Sequence, residues 1–383
     1  MLFRNPRNPR YPRNPRYPKK SQISQKSHYP RSPIKTTMTT PEITYHDLFP
    51  ENFEGLAWRD MQRESPFDRM PVTVKHLPHV WSNIHTTIGM CCFFNTDSTT
   101  FRVKMDLASS QLGGPIFSVC AHSGVDLYIY DDNESRWRWA GAYTDCQCFQ
   151  DQHLEYTILE GLPKKPRRCR LYLPMRNQLM KISIGLDEDA SFDLLPPRED
   201  NKLVYYGTSI IHGAYSTRSG LGIAQIIGRN LDMPIFNLGI SGGCRMEMEI
   251  AELLVKLQDV KVLVIDPMHN MWPAIIRENT PAFLDYVCPK MPSTEIIFVT
   301  APRHLQGWLK PDLDARQLEL QQLFKQFCDE RMPKYHNLHF IDGQDFYGTD
   351  EVSPDGVHPN DNAAWHMATV LTQAIRDILR KQA

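Results

Sequence analysis

Four short stretches, far apart in the chain, carry side chains that together could break an ester. They are Gly207-Thr208-Ser209, Gly239-Ile240-Ser241-Gly242-Gly243, Asp266-Pro267-Met268-His269-Asn270 and Asp355-Gly356-Val357-His358-Pro359. Acyl transfer needs a nucleophile, a base to activate it, a group that fixes the base, and donors for the oxyanion that develops. Ser209 supplies a hydroxyl and His358 an imidazole able to take its proton near neutral pH. Asp355, three residues before His358, is close enough for its carboxylate to meet the other ring nitrogen. The backbone N–H groups of Ser209 and Gly242 and the side-chain amide of Asn270 could converge on one oxygen. Singly, each has a plainer reading. Ser209 could cap a helix, the glycines could serve a tight turn, Asn270 an Asx turn, and Asp355 and His358 a solvated loop.

Two other chemistries compete. Gly239-Ile240-Ser241-Gly242-Gly243 matches the Gly-x-Ser-x-Gly nucleophile elbow. Ser241 ranks below Ser209, because that elbow belongs to a fold with several strands before it, and one parallel strand precedes Ser241 here. His212, His269, His304 and His358, with Asp266 or Asp355, could be collected around a metal. However, no His-x-His or His-Glu-x-x-His spacing supports this. Neither metal nor cofactor is expected.

The elements that must position these groups are legible in the rhythm of the chain. Short apolar runs at 203–206, 235–238, 260–265, 295–300 and 338–341 alternate with helical patterns at 224–231, 246–257 and 313–330. A last amphipathic helix carries Met367, Val370, Leu371, Ile375, Ile378 and Leu379. This alternation predicts a parallel sheet with helices on both faces, whose ligand sits beyond the carboxyl ends of the strands. The first three stretches fall at such ends, and the fourth lies just before the last helix. Residues 44–190 have period two instead, as in Phe101, Val103, Met105 and Leu107, which predicts antiparallel strands in a β-sandwich or jelly roll. Asp193-Leu-Leu-Pro-Pro-Arg-Glu-Asp200 interrupts the two rhythms.

Of 43 basic residues, ten lie in residues 1–41, which contain no acidic residue; all 44 acidic residues follow. The opening Asn-Pro-Arg and Tyr-Pro-Arg repeat is too poor in apolar surface to order itself, so residues 1–40 are expected to be a disordered basic tail. A basic tether for anionic lipid or nucleic acid is the sharper reading, and the repeat is untranslated if synthesis begins at Met38. The acidic remainder is not a nucleic-acid-binding footprint. No run of eighteen apolar residues supports a membrane span. Nine cysteines without Cys-x-x-Cys spacing indicate neither a zinc site nor a disulfide framework. With no secretory leader recognised, a cytoplasmic location is expected.

The four stretches, in the order Ser, Gly, Asn and Asp-x-x-His, resemble the SGNH, or GDSL-type, hydrolase superfamily over about residues 200–383. The resemblance implies a flavodoxin-like three-layer sheet, Ser209, Asp355 and His358 as catalytic residues, and Ser209, Gly242 and Asn270 as the oxyanion hole. Gly124-Val125-Asp126-Leu127-Tyr128 is similar to the Gly-x-Asp-Leu-Tyr motif of a β-rich domain found ahead of SGNH domains, and Trp81 and Leu171-Tyr-Leu-Pro174 fit its pattern. Three positions depart from the superfamily: Thr208 replaces the usual Asp, Met271 follows Asn270 where an acid is common, and Cys244 replaces a small residue. The implied organisation is a tail (1–40), a β-sandwich GxDLY-type domain (41–196) and a hydrolase domain (197–383). The implied activity is hydrolysis of short-chain, acetyl-type esters of a carbohydrate or other polar alcohol through an acyl-serine. Acyl transfer, or glycan binding without catalysis, is the alternative. Trp137, Trp139 and Tyr143 are candidates for a glycan platform, although core packing is the commoner fate of such aromatics. For Asp126 and Tyr128 a fold-determining hydrogen bond is expected.

Overall fold

In the computed structural model, residues 42–143 and 151–381 are described; the basic tail, Met38, Cys146 and Cys148 lie outside them. Up to residue 195 the described strands are β1 (Ile43–Leu48), β2 (Cys91–Thr96), β3 (Phe101–Leu107), β4 (Asp126–Asp131), β5 (Arg136–Ala142), β6 (His153–Leu159), β7 (Arg167–Tyr172), β8 (Leu179–Asp187) and β9 (Phe192–Leu195). They form two antiparallel sheets, ordered β1-β8-β3-β6 and β5-β4-β7-β2-β9. Along β3 the side chains alternate as the period predicts, with Phe101, Val103, Met105 and Leu107 buried. They meet Phe94 and Leu171 of the other sheet in one hydrophobic cluster.

Two features of this half differ from the sequence expectation. The start of the supposed interruption is strand: Phe192 and Leu194 pack on the core, and β9 pairs with β2 at the sheet edge. Two helices also intervene, α1 (Pro78–Ile84) and α2 (Val119–His122). α1 is too short to show a helical period. It opens on a proline, where a missing N–H costs nothing, and buries Val80 and Ile84 in a cluster shared with Val204, Leu238 and Ile265 of the C-terminal half.

The C-terminal half alternates throughout: β10 (Lys202–Gly207), α3 (Ile223–Leu231), β11 (Ile235–Gly239), α4 (Met248–Leu254), β12 (Val260–Asp266), α5 (Pro273–Lys290), β13 (Glu295–Val299), α6 (Pro311–Arg331), β14 (Leu338–Ile341) and α7 (Asp361–Arg380). The sheet is parallel, ordered β11-β10-β12-β13-β14, which is the flavodoxin-like 2-1-3-4-5 arrangement. Its strands are buried on both faces, which is why they read as continuous apolar runs. One face packs with α4, α5 and α6, the other with α3 and α7. The helix α5 carries Pro281 and Pro289 internally, which hides its pattern in the sequence.

Candidate active site

The sheet register gathers the site. Gly207, the last residue of β10, pairs with Gly239 on one side and Asp266 on the other. The chain therefore leaves three neighbouring strands together, at the switch point where the connections from β10 diverge. Ser209 lies two residues beyond β10, Gly242 three beyond β11 and Asn270 four beyond β12.

Ser209 does not cap a helix. It sits in a turn closed by His212 N–H to Thr208 O (2.9 Å) and Ala214 N–H to Ser209 O (3.1 Å), and α3 begins only at Ile223. Its half-buried hydroxyl is free to face His358, with Oγ 2.8 Å from Nε2. Across the ring, Nδ1 lies 2.7 Å from Asp355 Oδ2. A carboxylate only accepts, so Nδ1 carries the proton and Nε2 is left to accept from the serine. Asp355 Oδ1 takes the backbone N–H groups of His358 (2.8 Å) and Val357 (2.9 Å). Burial raises the Asp355 pKa, but these N–H groups and the His358 ring outweigh it and hold the carboxyl at about 2.

The loop bearing His358 is pinned from several directions. Asn360 caps α7 through the N–H groups of Asn362 and Ala363. The Tyr347 hydroxyl donates to Val357 O, and Leu305 N–H donates to Gly356 O. Thr217, in the loop after the nucleophile, donates its N–H to Asp361 Oδ1 at 3.0 Å. Between them Tyr215, at φ +65°, holds its ring 5.9 Å from the His358 ring.

The three expected oxyanion donors are spare. Among the described residues the backbone N–H groups of Ser209 and Gly242 have no acceptor. Asn270 Nδ2 gives one hydrogen to Gly243 O (2.7 Å) and keeps the other. Gly242 has φ +73°, and a Cβ there would point into open space on the approach to the donors. Cys244 is also left-handed, at φ +63°, a conformation that favours glycine.

Asn83, which no sequence motif marked, fixes this turn. Its Nδ2 donates to Ser241 O (3.1 Å), while its Oδ1 accepts from Ser241 N–H (3.2 Å) and from Arg176 Nη1 (3.0 Å). The carbonyl of Ser241 and the N–H of Gly242 belong to one trans peptide and point in opposite directions. Anchoring the carbonyl on Asn83 therefore turns the Gly242 N–H the other way. Behind it the fully buried Arg69 donates to the carbonyls of Asn237 (2.8 Å), Gly239 (3.0 Å) and Asn83 (2.7 Å).

Asp126 of the Gly-x-Asp-Leu-Tyr motif reaches the same region from the β half. Its buried carboxylate accepts from Arg218 Nη1 (2.8 Å), Gly220 N–H (2.8 Å) and Trp139 Nε1 (2.9 Å). Arg218 also donates to the Tyr128 hydroxyl at 3.0 Å. The motif thus clamps the segment between Ser209 and α3. Trp139 stays half exposed above the clamp with Arg218 over its ring, whereas Tyr143 is core and Trp137 packs edge-on to Phe93.

The competing groups are placed differently. Ser241 Oγ is 3.2 Å from His212 Nδ1, but the other nitrogen of His212 faces Met175 O (3.3 Å) and no carboxylate. Burial, with Arg69 and Arg176, keeps His212 neutral far below its usual range. His269 and His304 meet edge to face at 5.4 Å, and among the described residues no three His, Cys, Asp or Glu side chains gather as metal ligands would. Cys91, Cys92, Cys169, Cys244, Cys288 and Cys328 are free and buried. No helix is long and apolar enough to cross a membrane, among the described residues.

Residues 200–376 match the GDSL-like lipase/acylhydrolase family, and residues 43–192 match the N-terminus of SGNH-hydrolase-type esterases. A protein of Bacteroides ovatus ATCC 8483 assigned to the GDSL-like lipases is similar at 26% identity and a TM-score of 0.79, over 88% of this chain and 98% of its own. The salicylyl-acyltransferase SsfX3 of a tetracycline biosynthetic pathway shares the fold at 16% identity and a TM-score of 0.68, over 87% of this chain and 97% of its own. A family two carbohydrate esterase from Clostridium thermocellum shares it at 14% identity and a TM-score of 0.54, over 76% and 95%. No curated protein matches.

Proposed function

With residues 200–376 a member of the GDSL-like lipase/acylhydrolase family, behind the N-terminal domain of SGNH-type esterases, we propose that this chain is a serine esterase. It hydrolyses short-chain, acetyl-type esters of a carbohydrate or other polar alcohol through an acyl-serine. The observation that carries the reading is the unbroken relay from Ser209 Oγ through His358 to Asp355, at 2.8 and 2.7 Å.

The Ser209 oxygen attacks the acyl carbonyl while His358 Nε2 takes the hydroxyl proton. The negative charge passes to the carbonyl oxygen, met by the N–H groups of Ser209 and Gly242 and the free amide hydrogen of Asn270; each such donor is worth about 3 kcal/mol of barrier. As the tetrahedral intermediate collapses, the C–O bond to the alcohol breaks and His358 returns its proton to the leaving oxygen. Water then attacks the acyl-serine with His358 as base, releasing the acid and restoring Ser209. Asp355 stays ionised, holding the ring tautomer and stabilising the imidazolium. These groups complete the cycle by nucleophilic attack and proton transfer.

Acyl transfer shares every step up to the acyl-serine, and the fold shared with a salicylyl-acyltransferase keeps it as the second reading. The test is turnover of p-nitrophenyl esters from two to twelve carbons, with and without sugar acceptors. Fastest hydrolysis of the acetate, abolished in Ser209→Ala, is expected. Activity retained in Ser209→Ala would overturn the proposal, and acceptor-dependent ester formation would move it to transfer.

A further inference from the structure

A second cleft opens on the β-domain side of the oxyanion turn. It has a volume of about 510 Å³, and its lining includes Ile116, Phe117, His122, Arg176, Asn177 and Ser241. Its edges adjoin the reaction centre twice. Ser241 immediately precedes Gly242, and Ile116 O accepts the N–H of Tyr215, the residue against the His358 ring. The leaving alcohol of an ester held at Ser209 has this polar, partly aromatic space beside it.

The charge in the cleft is unbalanced. Arg176 is half buried and gives Nη1 to the neutral amide oxygen of Asn83, yet no carboxylate lies within ion-pair distance among the described residues. Only burial bears on its acidity, and no neighbouring anion props up its charge. Behind it, the guanidinium of Arg69 meets only backbone carbonyls. Both cations help to keep His212 neutral, and Arg176 with burial lowers His122 to about 4. Partly desolvating a guanidinium without an anion is unfavourable, whereas its fork suits a carboxylate well.

Resting on the esterase reading, we propose that Arg176 is a substrate-binding residue. It receives a carboxylate on the alcohol portion, so that the preferred substrates are acylated sugar acids or similar hydroxy acids rather than neutral sugars. Titration calorimetry on the wild-type protein, at matched ionic strength with sodium chloride, tests this without relying on turnover. Glucuronate should bind about tenfold or more tightly than its neutral isostere glucuronamide and than glucose, and more tightly than acetate. Arg176→Gln should erase that advantage and Arg176→Lys should restore part of it. Equal affinity for glucuronate and glucuronamide, acetate binding as tightly as glucuronate, or an advantage that survives Arg176→Gln would each overturn the proposal. The comparison of glucuronate with glucuronamide needs no variant, so a misfolded Arg176→Gln protein leaves it intact. Absence of Ser209-dependent p-nitrophenyl acetate hydrolysis would instead sink the esterase reading and leave the affinity comparison standing.

Discussion

Ser209 and Ser241 each stand within hydrogen-bond reach of a histidine, and what lies behind the histidine separates them. His358 is backed by Asp355 at 2.7 Å, while His212 is buried against a backbone carbonyl. An imidazolium formed at His358 is stabilised; one formed at His212 would be desolvated beside two guanidinium groups. Ser209→Ala and His358→Ala are therefore expected to lower kcat by about 10⁴ or more, and Asp355→Asn by about 10⁴, each measured in steady-state ester hydrolysis. Ser241→Ala should cost less than about tenfold. Because Asp355 is held at about 2, its protonation should add no inflection to a pH–rate profile between pH 4 and 9. An extra acid-limb inflection that Asp355→Asn removes would contradict this. Asn270→Ala, losing one oxyanion donor, should lower kcat by about 10² to 10³ with the acyl-serine still formed.

At the scale of elements, the β half reaches the reaction centre through α1 and β4. Asn83, near the end of α1, orients the peptide that presents the Gly242 N–H. Asn83→Asp keeps the acceptor for Ser241 N–H and Arg176 but loses the donor to Ser241 O. With p-nitrophenyl acetate, which has no carboxylate to meet Arg176, a fall in kcat of about 10 to 10² with KM nearly unchanged is expected, since a misaimed oxyanion donor is felt in the transition state. A change confined to KM or to thermal stability would assign Asn83 a structural role only. Asp126, at the start of β4, is buried against Arg218 and the Gly220 N–H. Asp126→Asn removes one partner of a buried ion pair and should lower unfolding stability by about 3 kcal/mol, read by chemical denaturation. Asn83 was not legible from local pattern, since seven residues of α1 show no period. The Gly-x-Asp-Leu-Tyr motif marks Asp126 for a fold-determining hydrogen bond, but its partner Arg218, 92 positions later, is identified only once the chain is folded.

Over the whole molecule, His212 and Asp266, both buried at the site, pull stability in opposite directions with pH. His212 is neutral when folded, its pKa far below the usual 6.5. Below about 6.5 the unfolded chain binds a proton that the folded one refuses, so stability is lost on acidification, by about 1.4 kcal/mol per pH unit. Asp266, at the end of β12, is raised by burial to about 7, with one carboxyl oxygen unpartnered. Between its ordinary 3.8 and 7 the folded state keeps a proton that the unfolded state has lost, so this contribution falls as pH rises. From pH 4.5 to 6.5 the two effects largely cancel. Asp266→Asn should remove the cancellation. Its Tm should exceed that of the wild type at pH 8, and should drop more steeply on acidification. A variant less stable than wild type at pH 8, or with an unchanged slope, would contradict the assignment.

The linear chain by itself determined the two rhythms, hence an antiparallel half followed by a parallel sheet, because burial on one face or two imposes its own period on neighbouring residues. It also determined which residue types end each parallel strand, and so the chemistry available there. Helix α5 is hidden in the sequence behind two prolines, and β9 reads as a break because four residues cannot establish a period. Tertiary structure alone decided that Ser209 and His358, 149 positions apart, are 2.8 Å from one another. It also decided that Asn83 aims a peptide at the site, and that Arg176 faces the cleft without an anion. Such facts depend on distances between segments that share no local pattern. They are set by sheet order and by the packing of one half against the other, and appear only once the core has closed.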